Sequence, residues 1–143
     1  MTYLAELAAI ETRFLANYTA TPVAMGVAGP VIDPATKAIV DQPDTSAWVR
    51  FLVRGARENQ ASLGGASANV FRNLGVIMVQ VFTPTRDGHA AGRALADSIG
   101  AIFRAQQFSG ITCRAASVSE SASIEGGWIQ TNVDIPFYRD AYL

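Results

Sequence analysis

The stretch Gly75–Gly92, GVIMVQVFTPTRDGHAAG, decides how this chain is read. It opens as an apolar strand, breaks at Thr83-Pro84-Thr85, turns at Asp87-Gly88 and continues with the spacing of a helix. Within Val76–Phe82, Ile77, Val79 and Val81 share one face while Val76, Met78 and Phe82 share the other. A strand apolar on both faces belongs in the middle of a sheet. The junction after it is also where enzymes seat phosphates and cofactors, and the single histidine, His89, stands there.

The chemistry of the junction does not match a catalytic loop. A phosphate-binding loop of the Walker type needs a lysine to reach the phosphates, and a dinucleotide fingerprint needs Gly-x-Gly-x-x-Gly. Thr85-Arg86-Asp87-Gly88-His89-Ala90-Ala91-Gly92 has neither, and Asp87 puts an anion where a phosphate must sit. With one histidine and one cysteine, Cys113, the chain lacks the residues for a Cys/His metal site. Cys113 falls in an alternating strand and reads as a small core hydrophobe. Ser117, Ser119, Ser121 and Ser123 line one strand face and read as a solvated or inter-subunit edge. The corner therefore reads as a helix entry capped by Asp87 or Thr85, with no cofactor, metal or catalytic residue assigned.

Working outward, Thr2–Tyr18 reads as a helix capped by Thr2, its inward stripe being Leu4, Leu7, Ala8, Phe14, Leu15 and Tyr18, with Glu6 on the outer side. Val23–Met25 reads as a short strand. Residues 29–46 hold three of six prolines and read as a long loop. Ala47–Arg54 alternates, with Trp48, Arg50, Leu52 and Arg54 on one side. Residues 55–69 are polar and small, a hairpin arm joining two strong strands. The second helix runs to Gln107, and Gly92 and Gly100 in it suggest close approach to the sheet. Ile111–Ile124 and Trp128–Phe137 form a last hairpin around Glu125-Gly126-Gly127. The expected fold is α+β: a mostly antiparallel sheet of about four to five strands, two helices on one face, order α-β-β-β-α-β-β, in a single domain over 1–143.

Composition bounds the function. At 143 residues and 50% hydrophobic, the chain is long enough for one well-buried core. A net charge of −1 gives no basic excess for nucleic acid or a membrane surface. No apolar run reaches the roughly 20 residues of a membrane span, and MTYLAELAAIETRF does not read as a signal peptide. Lys37 is the one lysine among 11 cations. Arginine favours fixed bidentate contacts, and Trp48 and Trp128, each opening a strand on its polar face, read either as exposed interface anchors or as cover for the helix-free side of the sheet.

The ordered set of segments resembles the tail-terminator-like proteins of long-tailed phages. The matching signals are Glu11-Thr12-Arg13-Phe14, Thr21-Pro22-Val23-Ala24, Trp48-Val49-Arg50 and Leu63-Gly64-Gly65. They continue with Phe71-Arg72-Asn73-Leu74-Gly75, Val79-Gln80-Val81-Phe82-Thr83-Pro84, Leu95-Ala96-Asp97 and Gly127-Trp128-Ile129-Gln130, and end with Val133-Asp134-Ile135-Pro136-Phe137. The resemblance implies a non-enzymatic virion protein forming a homo-oligomeric ring, a hexamer, at the head-proximal end of the tail, assembled in the host cytoplasm. Such a ring caps the tube protein, stops its polymerisation and offers a surface to head-completion or neck proteins, with DNA passing only through its lumen. On this reading Trp48, Arg50, Arg54, Arg57, Leu63, Arg72 and Trp128 serve subunit or partner contacts. The alternatives are a connector or tube component of related fold, or a small-ligand enzyme at the 83–89 corner.

Overall fold

The computed structural model describes residues 2–60, 69–121 and 127–142. Its first element is helix α1, Tyr3–Asn17. The Thr2 hydroxyl accepts from the Ala5 amide at 3.1 Å, a cap contributing about 1 kcal/mol. The buried positions of α1 are Glu6, Ile10 and Phe14, one per turn, followed by Tyr18. This rotates the helix relative to the stripe expected above: Leu4 is 76% and Leu7 37% exposed, while Glu6 is 3% exposed. The cause is electrostatic. Glu6 Oε1 accepts from Asn73 Nδ2 and from Arg139 Nε, each at 2.7 Å, in a site all three residues share away from water. A buried guanidinium needs a carboxylate more than the core needs two leucines.

After β1 (Val23–Met25) and β2 (Val31–Ile32) come the long strands β3 (Trp48–Gln60) and β4 (Val70–Pro84). Helix α2 spans Gly88–Phe103, followed by β5 (Gln107–Phe108), β6 (Ile111–Cys113), β7 (Ser117–Glu120) and β8 (Trp128–Tyr142). These strands form one eight-stranded sheet in the order β2-β1-β3-β4-β8-β6-β5, with β7 also paired to β8. The fold expectation of four to five mostly antiparallel strands in the order α-β-β-β-α-β-β is thus corrected. The sheet is mixed, since β1 runs parallel to β3. Val31–Ile32, inside the expected 29–46 loop, pairs with β1. The expected strand Ile111–Ile124 is broken into β6 and β7: the Arg114 amide still donates in register to the Pro136 carbonyl, but Pro136 has no N–H to return, and pairing with β8 resumes one residue out of step at Ser117–Asp134. The expected end of the second helix becomes β5, after Ala105 adopts φ 55°.

In β3 up to Val53, β4 and β8, odd-numbered residues face the helices, and both helices pack on that side. Val49, Phe51, Ile77, Val79, Val81, Val133, Ile135 and Phe137 meet Ile10 and Phe14 of α1 and Ala96, Ile99 and Phe103 of α2 in one cluster. Phe14 is its hub, with ring centroids 4.5 Å from Phe51, 5.0 Å from Tyr18 and 6.2 Å from Phe103. A bulge between Gly55 and Arg57 shifts the parity of β3 beyond it, where Arg57 stands opposite Leu74.

The corner itself is structural in detail. Thr83 and Pro84 are buried, Thr85–Asp87 make a 3-10 turn, and Gly88 (φ 71°) lets the chain enter α2. The expected cap is absent, since Asp87 stands at the N-cap of α2 with no side-chain hydrogen bond to it. Its carboxylate lies 3.9 Å from Arg86 instead. Gly92 is required by packing, because a Cβ there would come within 2.6 Å of Thr131 Oγ1 on β8.

Candidate interaction surface

The side of the sheet away from the helices carries every described residue that the sequence marked for partner contacts. Strand register lines them up in rows: Trp48, Phe82 and Gln130; Arg50, Gln80 and Asn132; Leu52, Met78 and Asp134; Arg54, Val76 and Pro136. Beyond the bulge come Arg57, Leu74 and Tyr138, then Asn59, Arg72 and Asp140. Trp128 lies opposite Pro84 at the other end. Leu63 lies outside the described residues.

Of the two readings of Trp48, exposed anchor or cover for the helix-free side, the structure gives the second; it is 4% accessible. Its ring stacks on Phe82 with centroids 4.3 Å apart, and the Arg50 guanidinium sits 5.5 Å from the Trp48 centroid and 5.7 Å from that of Phe82. Arg50 Nη1 also donates to Gln80 Oε1 at 3.4 Å. Trp48 Nε1, Arg50 Nε and Asp134 Oδ1 are buried without a hydrogen-bond partner among the described residues. Buried polar atoms are nearly always paired, so three orphans on one face mark it as unfinished.

Toward the far end of the strands, Arg72 makes a bidentate pair with Asp140 at 2.8 and 3.0 Å. Tyr138 lies under two guanidiniums, Arg72 at 4.3 Å and Arg114 at 5.1 Å from its ring centroid. Arg54 and Arg57 are exposed and take part in no hydrogen bond or ion pair among the described residues. The Arg72 hydrogen bond, ahead of the opposing burial term and with added Coulomb attraction, holds the Asp140 carboxyl below its usual range. A depressed carboxyl stabilises fully above its unfolded value and loses that contribution as pH falls through the lower folded value. Comparing urea midpoints of the native protein and Arg72→Ala, the gap is expected to be present at pH 7 and to shrink progressively as pH falls below the ordinary aspartate range.

On the helical side, Glu120 of β7 accepts from Arg93 and lies 2.9 Å from His89 Nδ1. The Arg93 hydrogen bond is the main cause of a lowered Glu120 carboxyl. His89, 59% exposed in its side chain, is thus tied to a neighbouring strand. Arg93, Asp97, Val118, Ser119 and Glu120 line an open groove of about 470 Å³ there. No group of three or more His, Cys, Asp or Glu side chains converges to hold a metal among the described residues. Cys113 is buried, and desolvation pushes its thiol up to about 11, so it stays protonated and unreactive near neutral pH. No described helix is long and apolar enough to cross a membrane.

Sequence reasoning missed the Glu6–Asn73–Arg139 cluster and the Tyr138 sandwich. One signal was available for the first: Arg139 extends the odd-numbered inward series Ile135, Phe137 of its strand, and a cation there demands an anion.

The fold and these surfaces define an α+β domain whose distinctive chemistry lies in a broad arginine–aromatic sheet face and in exposed sheet edges. One solved structure aligns over 100% of this chain and 99% of its own with a TM-score of 0.67 at 20% identity, a likeness of fold alone. No curated protein matches. The chain belongs to the phage tail terminator protein family, whose model matches residues 7–137. It is a phage tail structural protein, a virion component that works against other tail or head proteins.

Proposed function

We propose that the chain forms a closed ring, a hexamer, at the head-proximal end of the tail. The ring caps the tube, ends its polymerisation and presents a surface for head-completion proteins, with DNA passing through its lumen. It does this without catalysis, after assembling in the host cytoplasm, and the whole of 1–143 acts as one domain. The observation that carries this reading is the family match over 7–137. Physical support comes from surface left uncovered in a single copy. Unlike edges that join head to tail add subunits without limit unless rotation closes them, and a ring is the closed solution. Trp48, Arg50, Arg54, Arg57, Leu63, Arg72 and Trp128 supply subunit or partner contacts in this scheme. The arm 55–69 reaches a neighbour or the last tube ring.

Negative-stain imaging of the purified protein, alone and added to polymerising tube protein, tests the proposal. Closed rings, and tubes that stop growing with a ring at one end, are expected. A protein that stays monomeric at all concentrations and leaves tube growth unchanged refutes it.

A further inference from the structure

We propose that neighbouring copies in the ring join edge to edge, the free edge of β3 in one copy taking β7 of the next as an added antiparallel strand. This rests on the ring reading above and names the contact that closes it.

The first half of the contact is the outer edge of β3. Strand β1 pairs with only Val49, Arg50 and Phe51 of this strand. The Val49 amide donates to the Pro22 carbonyl at 3.1 Å, and the Phe51 carbonyl accepts from the Gly26 amide at 2.9 Å. Backbone alternation then puts the N–H and C=O of Val53 on the same edge, where no described strand follows β1. Beside that edge runs a groove of about 250 Å³ lined mainly by Leu7, Met25, Phe51 and Val53, with Glu11 as its one charged residue. Leu7 reaches it because the burial of Glu6 turns that face of α1 outward. An open edge flanked by an apolar groove is the geometry of strand addition.

The second half is β7, which among the described residues pairs only with β8 and lies at the opposite side of the sheet. Val118 stands opposite Val133, so it points to the helical side, and it is 44% exposed. Ser117 and Ser119 point to the other side.

The halves agree in direction, face and charge. The pairs β3–β4, β4–β8 and β8–β7 are all antiparallel, so β7 runs opposite to β3. A second copy in the same orientation therefore offers an antiparallel partner. Val53 and Val118 both lie on the helical side, and pairing them drops Val118 into the groove beside α1. On the other face the same register sets the unpartnered Arg54 across the small side chain of Ser117, with Arg57 beyond it. Behind this serine, opposite it on β8, is Asp134, a half-buried carboxylate with no hydrogen bond or ion pair among the described residues. Two strand spacings, about 9–10 Å, are spanned by an extended arginine and a carboxylate. Groove and plug, cation and anion all sit on this one chain, which selects a second copy as the occupant.

Val53→Cys/Val118→Cys tests the contact under mild oxidation. Within one chain these positions are separated by β4 and β8, about 14 Å across the sheet, too far for a disulfide. Any bond between them joins two copies. The expected result is a non-reducing ladder that ends at the ring number, absent from either single variant and from Val53→Cys/Ser119→Cys, whose side chains leave opposite faces. Val118→Arg, at an exposed site, is expected to keep the melting temperature within about 2 °C while weakening ring formation at least tenfold. Rings that form without the ladder and survive Val118→Arg overturn the edge contact and leave the ring reading standing. Absence of both rings and ladder overturns the two together.

Discussion

Glu6→Ala is expected to lower the stability of the chain by about 3–5 kcal/mol at neutral pH, the cost of leaving a buried charge without its partner. Arg139 is 4% exposed and its Nε donates to Glu6 at 2.7 Å. Removing the carboxylate strands the guanidinium and also orphans the Asn73 amide, which donates to the same oxygen. Against a typical total of about 5–15 kcal/mol, this is a large fraction. Urea denaturation followed by far-UV circular dichroism measures it. Glu6→Leu with Arg139→Met is expected to recover most of the loss, because an apolar pair of similar volume avoids both desolvation penalties. A loss under about 1 kcal/mol for the single variant shows that water reaches the site.

Phe14→Ala is expected to cost a similar amount, about 3–5 kcal/mol, for a different reason. The Phe14 ring is fully buried and stacks on Tyr18, Phe51 and Phe103, which come from α1's end, the sheet and α2. Truncation removes contact with three elements at once and leaves a cavity that stiff aromatic neighbours cannot fill. The informative control is Leu4→Ala on the same helix, where 76% exposure predicts a change within about 0.5 kcal/mol. Had the helix packed by the stripe expected from the sequence, which holds both Leu4 and Phe14, both truncations would be costly. Thermal melts of both variants decide between the two orientations of α1.

The contrast shows where sequence reading stops. The central strand was legible at Ile77, Val79 and Val81 because alternation over many residues is a local signal, and α1 was legible in extent for the same reason. Its rotation was not. The partners of Glu6 lie 67 and 133 residues away, and no window around position 6 contains them. The edge strands β2 and β5 have two residues each, too few for any period to show. The alternation of Ile111–Ile124 ran on through Arg114, although the ladder to β8 breaks at Pro136, which has no N–H, and resumes one residue out of step. Whether Trp48 is exposed was not legible from its arginine neighbours, because the ring that covers it, Phe82, comes from the next strand. The candidate surface was legible as a set, since parity alone puts Trp48, Arg50 and Arg54 together. The open edge of β3 was not, because it depends on how short the parallel β1 is.

The position of β8 has a consequence for biogenesis. It follows every other described element in chain order, yet it lies inside the sheet, flanked by β4 on one side and by β6 and β7 on the other. It also delivers Arg139 to Glu6. During translation the nascent chain therefore holds β4 with an unfilled flank and Glu6 still hydrated until residues 128–142 leave the ribosome. Sheet closure is then a late, long-range step, slower than helix formation, and β7 gains the strand that orders it only at that moment. A subunit built in this order gains the β7–β8 pairing only once β8 is made, so shorter nascent chains lack an ordered β7 edge.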